Sequence, residues 1–108
     1  MESDSIQGAL RAFSSERDWG QFHSPANLAK SIVIEAAELL ECFQWGESAD
    51  IEKVRDELAD VLTYGHLLAD KLGLNVDRIV LDKLEVTRAK YPVEQARGRS
   101  TKYDELPD

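Results

Sequence analysis

A single cysteine, Cys42, among 108 residues excludes an internal disulfide and fits a reducing compartment. Three prolines and six glycines are too few for a disordered tail, and with 43% hydrophobic residues they favour an ordered helical domain. Long apolar runs are also missing. No segment approaches the roughly 18 apolar residues of a membrane span, and no basic region followed by an apolar run opens the chain. A cytoplasmic protein with no membrane partner is therefore expected. Positive charge is scarce, with 13 Lys and Arg against 21 Asp and Glu, for a formal charge of −8. That balance excludes a grip on a nucleic-acid polymer, which needs a basic surface. It tolerates a phosphorylated ligand only where metal ions neutralise the charge. No glycine-rich phosphate loop is legible, since Arg97-Gly98-Arg99-Ser100 is too short for one. No Ser-His-Asp or Cys-His arrangement is legible either, and His66 receives no role.

What remains is one helical domain over residues 1–108, small enough to need a partner subunit over its remaining apolar surface. Ile6, Ala9, Leu10 and Phe13 recur at helical spacing and predict a first helix over about 6–17, with Ser3 or Ser5 as its N-cap. Residues 17–25 lack periodicity and read as a loop dense in rings, Trp19, Phe22 and His23. Those rings form either a base-stacking platform or a plug at the end of a bundle. Ser24-Pro25 starts a second helix over 25–44, with Leu28, Ile32, Ala36, Leu39, Leu40 and Phe43 in one arc and Gly46 as an αL cap. Ile34 points off that arc, toward a second packing surface. Ser48 or Asp50 caps a third helix over 50–72, whose stripe runs through Ile51, Val54, Leu58, Val61, Leu62, Leu68, Ala69 and Leu72. Gly73 stops it, and a fourth helix follows over 76–90, ended by Pro92. Residues 93–108 read as an irregular tail carrying Arg97, Arg99 and Lys102.

The chemistry concentrates on the second and third helices. Glu35-Ala-Ala-Glu38 and Glu57-Leu-Ala-Asp60 are separated by 18 residues, 39–56. Residues three apart share a helix face, so each helix presents a carboxylate pair. Antiparallel packing, which a short connection favours, turns the pairs toward each other. Four anionic oxygen ligands suit Mg²⁺, with Mn²⁺ as a substitute. Glu35 and Glu57 border their apolar stripes, where a carboxylate is partly desolvated and needs a partner. A ferritin-like di-iron site would require a Glu-x-x-His motif on each of two helices, and no His stands three residues after a Glu here. The plain alternative is a solvated acidic face on a helical dimerisation or regulatory module without enzymatic activity.

The pattern resembles the MazG-like all-α nucleoside triphosphate pyrophosphohydrolases, within them most nearly the small dCTP pyrophosphatase branch. The shared phrases are Glu16-Arg17-Asp18-Trp19, Gln21-Phe22-His23, Glu38-Leu39, Phe43-Gln44-Trp45, Glu57-Leu58-Ala59-Asp60-Val61-Leu62 and Lys90-Tyr91-Pro92-Val93. Arg97-Gly98 and Lys102-Tyr103 also match, so the resemblance runs from about Ile6 to Leu106. It implies a four-helix bundle completed by oligomerisation, as a homodimer or homotetramer. It implies cleavage of dCTP or a modified dCTP to the monophosphate and pyrophosphate, as nucleotide-pool cleaning. By the same resemblance Glu35, Glu38, Glu57 and Asp60 are Mg²⁺ ligands. A carboxylate such as Glu35 or Glu38 is the candidate catalytic base, with any of the four, or nearby Glu41, as the alternative. Trp19, His23 and Trp45 surround the nucleobase, and Tyr64 and Lys53 contact substrate. Lys83 and Arg88 are candidates for holding pyrophosphate. Two positions depart from the pattern: Thr87, where relatives often have Asn, and Leu10, where some dCTP-type members have His.

Overall fold

The computed structural model describes residues 2–106, which are largely helical and contain no strand. Four long helices, α1 (Glu2–Glu16), α2 (Pro25–Glu41), α3 (Ile51–Lys71) and α4 (Val76–Lys90), are followed by a one-turn helix, α5 (Val93–Ala96). Short 3₁₀ turns cover Trp19–Phe22 and Tyr103–Glu105. Residues 107 and 108 of the expected tail lie outside the described residues. No helix among the described residues is long and apolar enough to cross a membrane.

The chain divides into two compact units, Met1–Asn75 and Val76–Asp108. In the first, α2 packs along α3, and α1 packs against α3. Leu28 of α2 and Ala69 of α3 are its buried apolar residues. Arg11 of α1 reaches Asp70 of α3 with two guanidinium nitrogens, its Nε donating to Oδ2 at 3.2 Å and its Nη2 to Oδ1. The bonds from Arg11 hold the Asp70 carboxyl below the usual range. The strap's contribution is therefore present at neutral pH and lost as pH falls through that lowered value.

Local chemistry explains the helix ends. The Ser24 hydroxyl accepts from the Asn27 N–H at 3.1 Å, with Pro25 in the first turn, where its missing donor costs nothing. Of the two expected caps for α3, Asp50 takes the position and accepts from the Glu52 N–H at 3.0 Å. Gly73, at φ 71°, closes α3, and the Leu74 N–H returns to the Ala69 carbonyl at 2.8 Å.

Several boundaries differ from the sequence reading. Helix α1 begins at Glu2, so Ser3 and Ser5 lie inside it instead of capping it. Helix α2 stops at Glu41, three residues early. Residues 42–46 continue as tight turns, with Phe43, Gln44 and Gly46 N–H groups reaching back three residues. Gly46 sits at φ 147°, outside the αL region expected for a helix cap.

In the second unit, Pro92 ends α4 as expected, and its carbonyl then accepts from Gln95 and Ala96 to found α5. The tail is therefore partly helical, in pieces of four and three residues that are too short to show periodicity. The expected core stripes are also incompletely covered. Leu40, Ile51 and Leu62 are exposed, as are Val33 and Ile34 on the second surface of α2. A helix neighboured on one side buries only that side, whereas a periodicity reading treats the whole stripe as core.

Replacing Ser24 with Ala removes the cap of α2 and should lower stability by about 1 kcal/mol, read as a shifted denaturation midpoint at unchanged slope.

Candidate metal centre and substrate cavities

Glu35 of α2 and Glu57 and Asp60 of α3 each place a carboxylate oxygen within 4.8 Å of the others. Glu38 lies near enough to raise the proton affinity of both Glu35 and Glu57. The two i, i+3 motifs thus meet where α2 packs on α3. One Oε2 atom each of Glu35 and Glu57 is buried without a hydrogen-bond partner. None of the four acids forms an ion pair among the described residues.

Both glutamates are held above the usual carboxylate range. For Glu35 the main cause is desolvation, followed by a hydrogen bond with Glu38 and the charges of Glu38, Asp60 and Glu57. For Glu57 desolvation again leads, followed by the charge of Glu38 and a hydrogen bond with it, then Asp60 and Asp56. Like-charged carboxylates, two of them with a buried oxygen that lacks a hydrogen-bond partner, fit a hard divalent cation, which Glu35, Glu57 and Asp60 would hold with Glu38 beside them.

A cavity lies on either side of the acids. The first, about 260 Å³, is walled by Leu10, Phe13 and Ser14 of α1, by Trp19 and His23, and by Asp60, Thr63, Tyr64 and Leu67 of α3. Its lining is mostly apolar. Trp19 is fixed from α1: its indole meets the Phe13 ring edge-on, with centroids 5.4 Å apart and planes at 79°. The Arg17 guanidinium lies over that Phe13 ring at 3.8 Å. Asp18, at φ 54°, turns the chain into the 3₁₀ segment, and Gln21 Nε2 donates to the Asp18 carbonyl at 2.9 Å. Trp19 and His23 thus line an open cavity, and Phe22 points away, 62% exposed.

The second cavity, about 530 Å³, is lined by Glu38, Glu41, Trp45, Lys53 and Glu57 among others. Trp45 is 93% exposed there, so in the single chain the two tryptophans wall different cavities. In the second unit, Lys83, Thr87, Lys90, Tyr91, Lys102 and Asp104 line a cavity of about 470 Å³. Arg88 is not in that lining and pairs with Glu85 at 3.2 Å.

The structure therefore brings Trp19, His23 and Tyr64 together beside Asp60, and Trp45 and Lys53 together beside Glu38 and Glu57. Leu10, Phe13, Ser14, Thr63 and Leu67 were absent from the candidates read from sequence. Their signal was available: Phe13 and Ser14 follow Leu10 by three and four residues, and Thr63, Tyr64 and Leu67 follow Asp60 by three, four and seven, each set along one helix face.

Because Glu35 and Glu57 bind protons above their ordinary value near 4.5, the metal-free folded state holds more protons than the unfolded chain just above that pH. Their contribution to stability must fall as pH rises through this window, and saturating Mg²⁺ should remove the slope by displacing the protons. Denaturation of the parent and Glu35→Gln proteins across this range, in EDTA and in Mg²⁺, checks it. The variant should show the shallower loss in EDTA.

Residues 30–106 match the MazG-like family. Human dCTP pyrophosphatase 1 is 41% identical, over 88% of this chain and 62% of its own length. The rat protein of that name is 39% identical with the same coverage, so this chain spans less than two thirds of these curated relatives. A crystal structure of a pyrophosphatase from Archaeoglobus fulgidus superposes with a TM-score of 0.77 at 40% identity, over 85% of this chain and 94% of that one. Paired acids on two packed helices, a ring-lined cavity beside them and this similarity converge: the chain belongs to the MazG-like family.

Proposed function

We propose that the protein is a Mg²⁺-dependent nucleoside triphosphate pyrophosphohydrolase of the cytoplasmic nucleotide pool. Its substrate is dCTP or a modified dCTP, cleaved to the monophosphate and pyrophosphate. The observation that carries this reading is the pair of buried, unpartnered Glu35 and Glu57 oxygens, grouped with Asp60 at the rim of a cavity that Trp19 walls. The names of the curated relatives and the description of the solved neighbour point to the same reaction.

When bound, the cation neutralises the triphosphate and acidifies the attacking water. The chain's own residues do the rest. Glu35 and Glu38 are the candidates to take that water's proton, their carboxylates lying among the ligands. Trp19 offers a face for the base, with His23 and Tyr64 at its edge. Lys53, beside Glu38 and Glu57, meets phosphate oxygens, and Trp45 walls the same side. In the second unit, Lys83 lines a lysine-rich cavity and Arg88 pairs with Glu85, positive charge of a kind suited to phosphate oxygens. Water attack at the α-phosphorus then breaks the bond to the bridging oxygen, and pyrophosphate leaves with that oxygen. The exposed Leu40, Ile51 and Leu62, together with Val33 and Ile34, form apolar surface that a homodimer or homotetramer covers.

Pyrophosphate release from dCTP should require Mg²⁺, stop in EDTA, and fall by about 100-fold or more in Glu38→Ala, beyond the loss from removing an outer partner of a ligand. A folded protein that releases nothing from any nucleotide would support the dimerisation-module alternative instead. Trp19→Ala should raise KM for dCTP by about fivefold to 150-fold, since base stacking contributes about 1–3 kcal/mol.

A further inference from the structure

We propose that Thr63 is a specificity-determining residue, selecting a nucleobase that presents an exocyclic amino group toward α3 over one that presents a carbonyl there. This rests on the reading above that the cavity walled by Trp19 receives the base.

Besides Trp19, whose indole N–H is a fixed donor, five residues with polar side chains line that cavity: Ser14, His23, Asp60, Thr63 and Tyr64. Three of them can answer either base edge. The Ser14 hydroxyl and the Tyr64 phenol each donate or accept by rotation, and a neutral His23 ring offers one donor and one acceptor. Thr63 differs. Its hydroxyl donates its only proton to the Ala59 carbonyl at 2.8 Å, one turn back along α3. Toward any ligand group that reaches it, its oxygen is therefore an acceptor alone.

Asp60, three residues earlier on the same helix face, is also an acceptor when ionised, and its carboxylate is engaged with the acidic group. The α3 wall thus offers lone pairs and no donor of fixed polarity. An amino group on the base finds an oxygen ready to accept from it. A carbonyl in that place sets lone pair against lone pair, or requires Thr63 to rotate and give up its bond to Ala59. Either way one hydrogen bond is lost, which in a partly desolvated cavity corresponds to about a fivefold to tenfold difference.

A threonine bonding back to the i−4 carbonyl is common in helices and has no functional meaning by itself. Its position on the wall of this cavity, one turn beyond an acid of the metal group, makes the fixed polarity consequential.

The test pairs two measurements on parent protein, Thr63→Val, Thr63→Ala and Thr63→Ser. One is kcat/KM for dCTP and dUTP in Mg²⁺. The other is metal-free binding of dCMP and dUMP, followed by quenching of tryptophan fluorescence. Val keeps the shape and Ala the helix propensity, and both remove the oxygen; Ser keeps the oxygen and its bond to Ala59. The cytosine-to-uracil ratio should fall by about fivefold to tenfold in Val and Ala, in both measurements, and hold in Ser. A merely structural Thr63 would weaken both nucleotides together and leave the ratio unchanged, which overturns the inference. Turnover with an unmoved ratio overturns it while leaving the proposed reaction standing. Binding with the expected ratio shift but no pyrophosphate release supports the inference and removes the reaction. Absence of binding by any of these nucleotides overturns both.

Discussion

Mutual repulsion among Glu35, Glu38, Glu57 and Asp60 is the constraint around which the first unit is arranged. Close packing of α2 on α3 is what forces these acids together, and it strips water from Glu35 and Glu57. A desolvated carboxylate without a counter-charge must hold a proton or find a cation. The raised proton affinities of both glutamates express the first choice, and the all-oxygen donor set suits the second. A lysine or arginine paired with these acids would have relaxed the strain and closed the site to a metal ion. Lys53 lines the cavity beside Glu38 and Glu57, yet among the described residues no lysine or arginine forms an ion pair with any of the four.

Much of this arrangement was readable because its signals are local. Ser24 before Pro25, Asp50 before Ile51 and Gly73 after Leu72 announce helix ends through backbone chemistry within one turn. The two i, i+3 acid pairs on the borders of apolar stripes implied both the helix faces and their juxtaposition. Tertiary contacts were not readable in this way. Nothing within five residues of Trp19 signals that Phe13 will meet its ring edge-on while Arg17 lies over the Phe13 ring. Thr63 carries no motif at all; its significance comes from α1 closing a cavity against α3. The stripes of α2 and α3 were read as core, yet Leu40 and Leu62 remain exposed, because periodicity identifies an apolar face and not what covers it.

Both positions where the chain departs from its relatives' pattern line cavities. Leu10 helps wall the cavity beside Asp60, and Thr87 lies among the lysines of the second unit, its hydroxyl donating to the Lys83 carbonyl at 3.1 Å. Both positions therefore lie where a ligand would be met. Leu10 makes its cavity less polar, which leaves discrimination there to fewer groups.

Helix α3 carries Glu57 and Asp60 into the acidic group and, from Asp60 onward, carries Thr63, Tyr64 and Leu67 into the cavity wall. At about 1.5 Å of rise per residue, roughly 6 Å of axis separates Asp60 from Tyr64. No hinge or glycine interrupts that stretch. The helix consequently works as a ruler: a ligand seated one step too high or low at the Tyr64 end is displaced by the same amount at the Asp60 end. Under the proposed reaction, fit at the ring and alignment at the reacting phosphate are measured on one rigid scale, so a poorly seated molecule is penalised without any moving part.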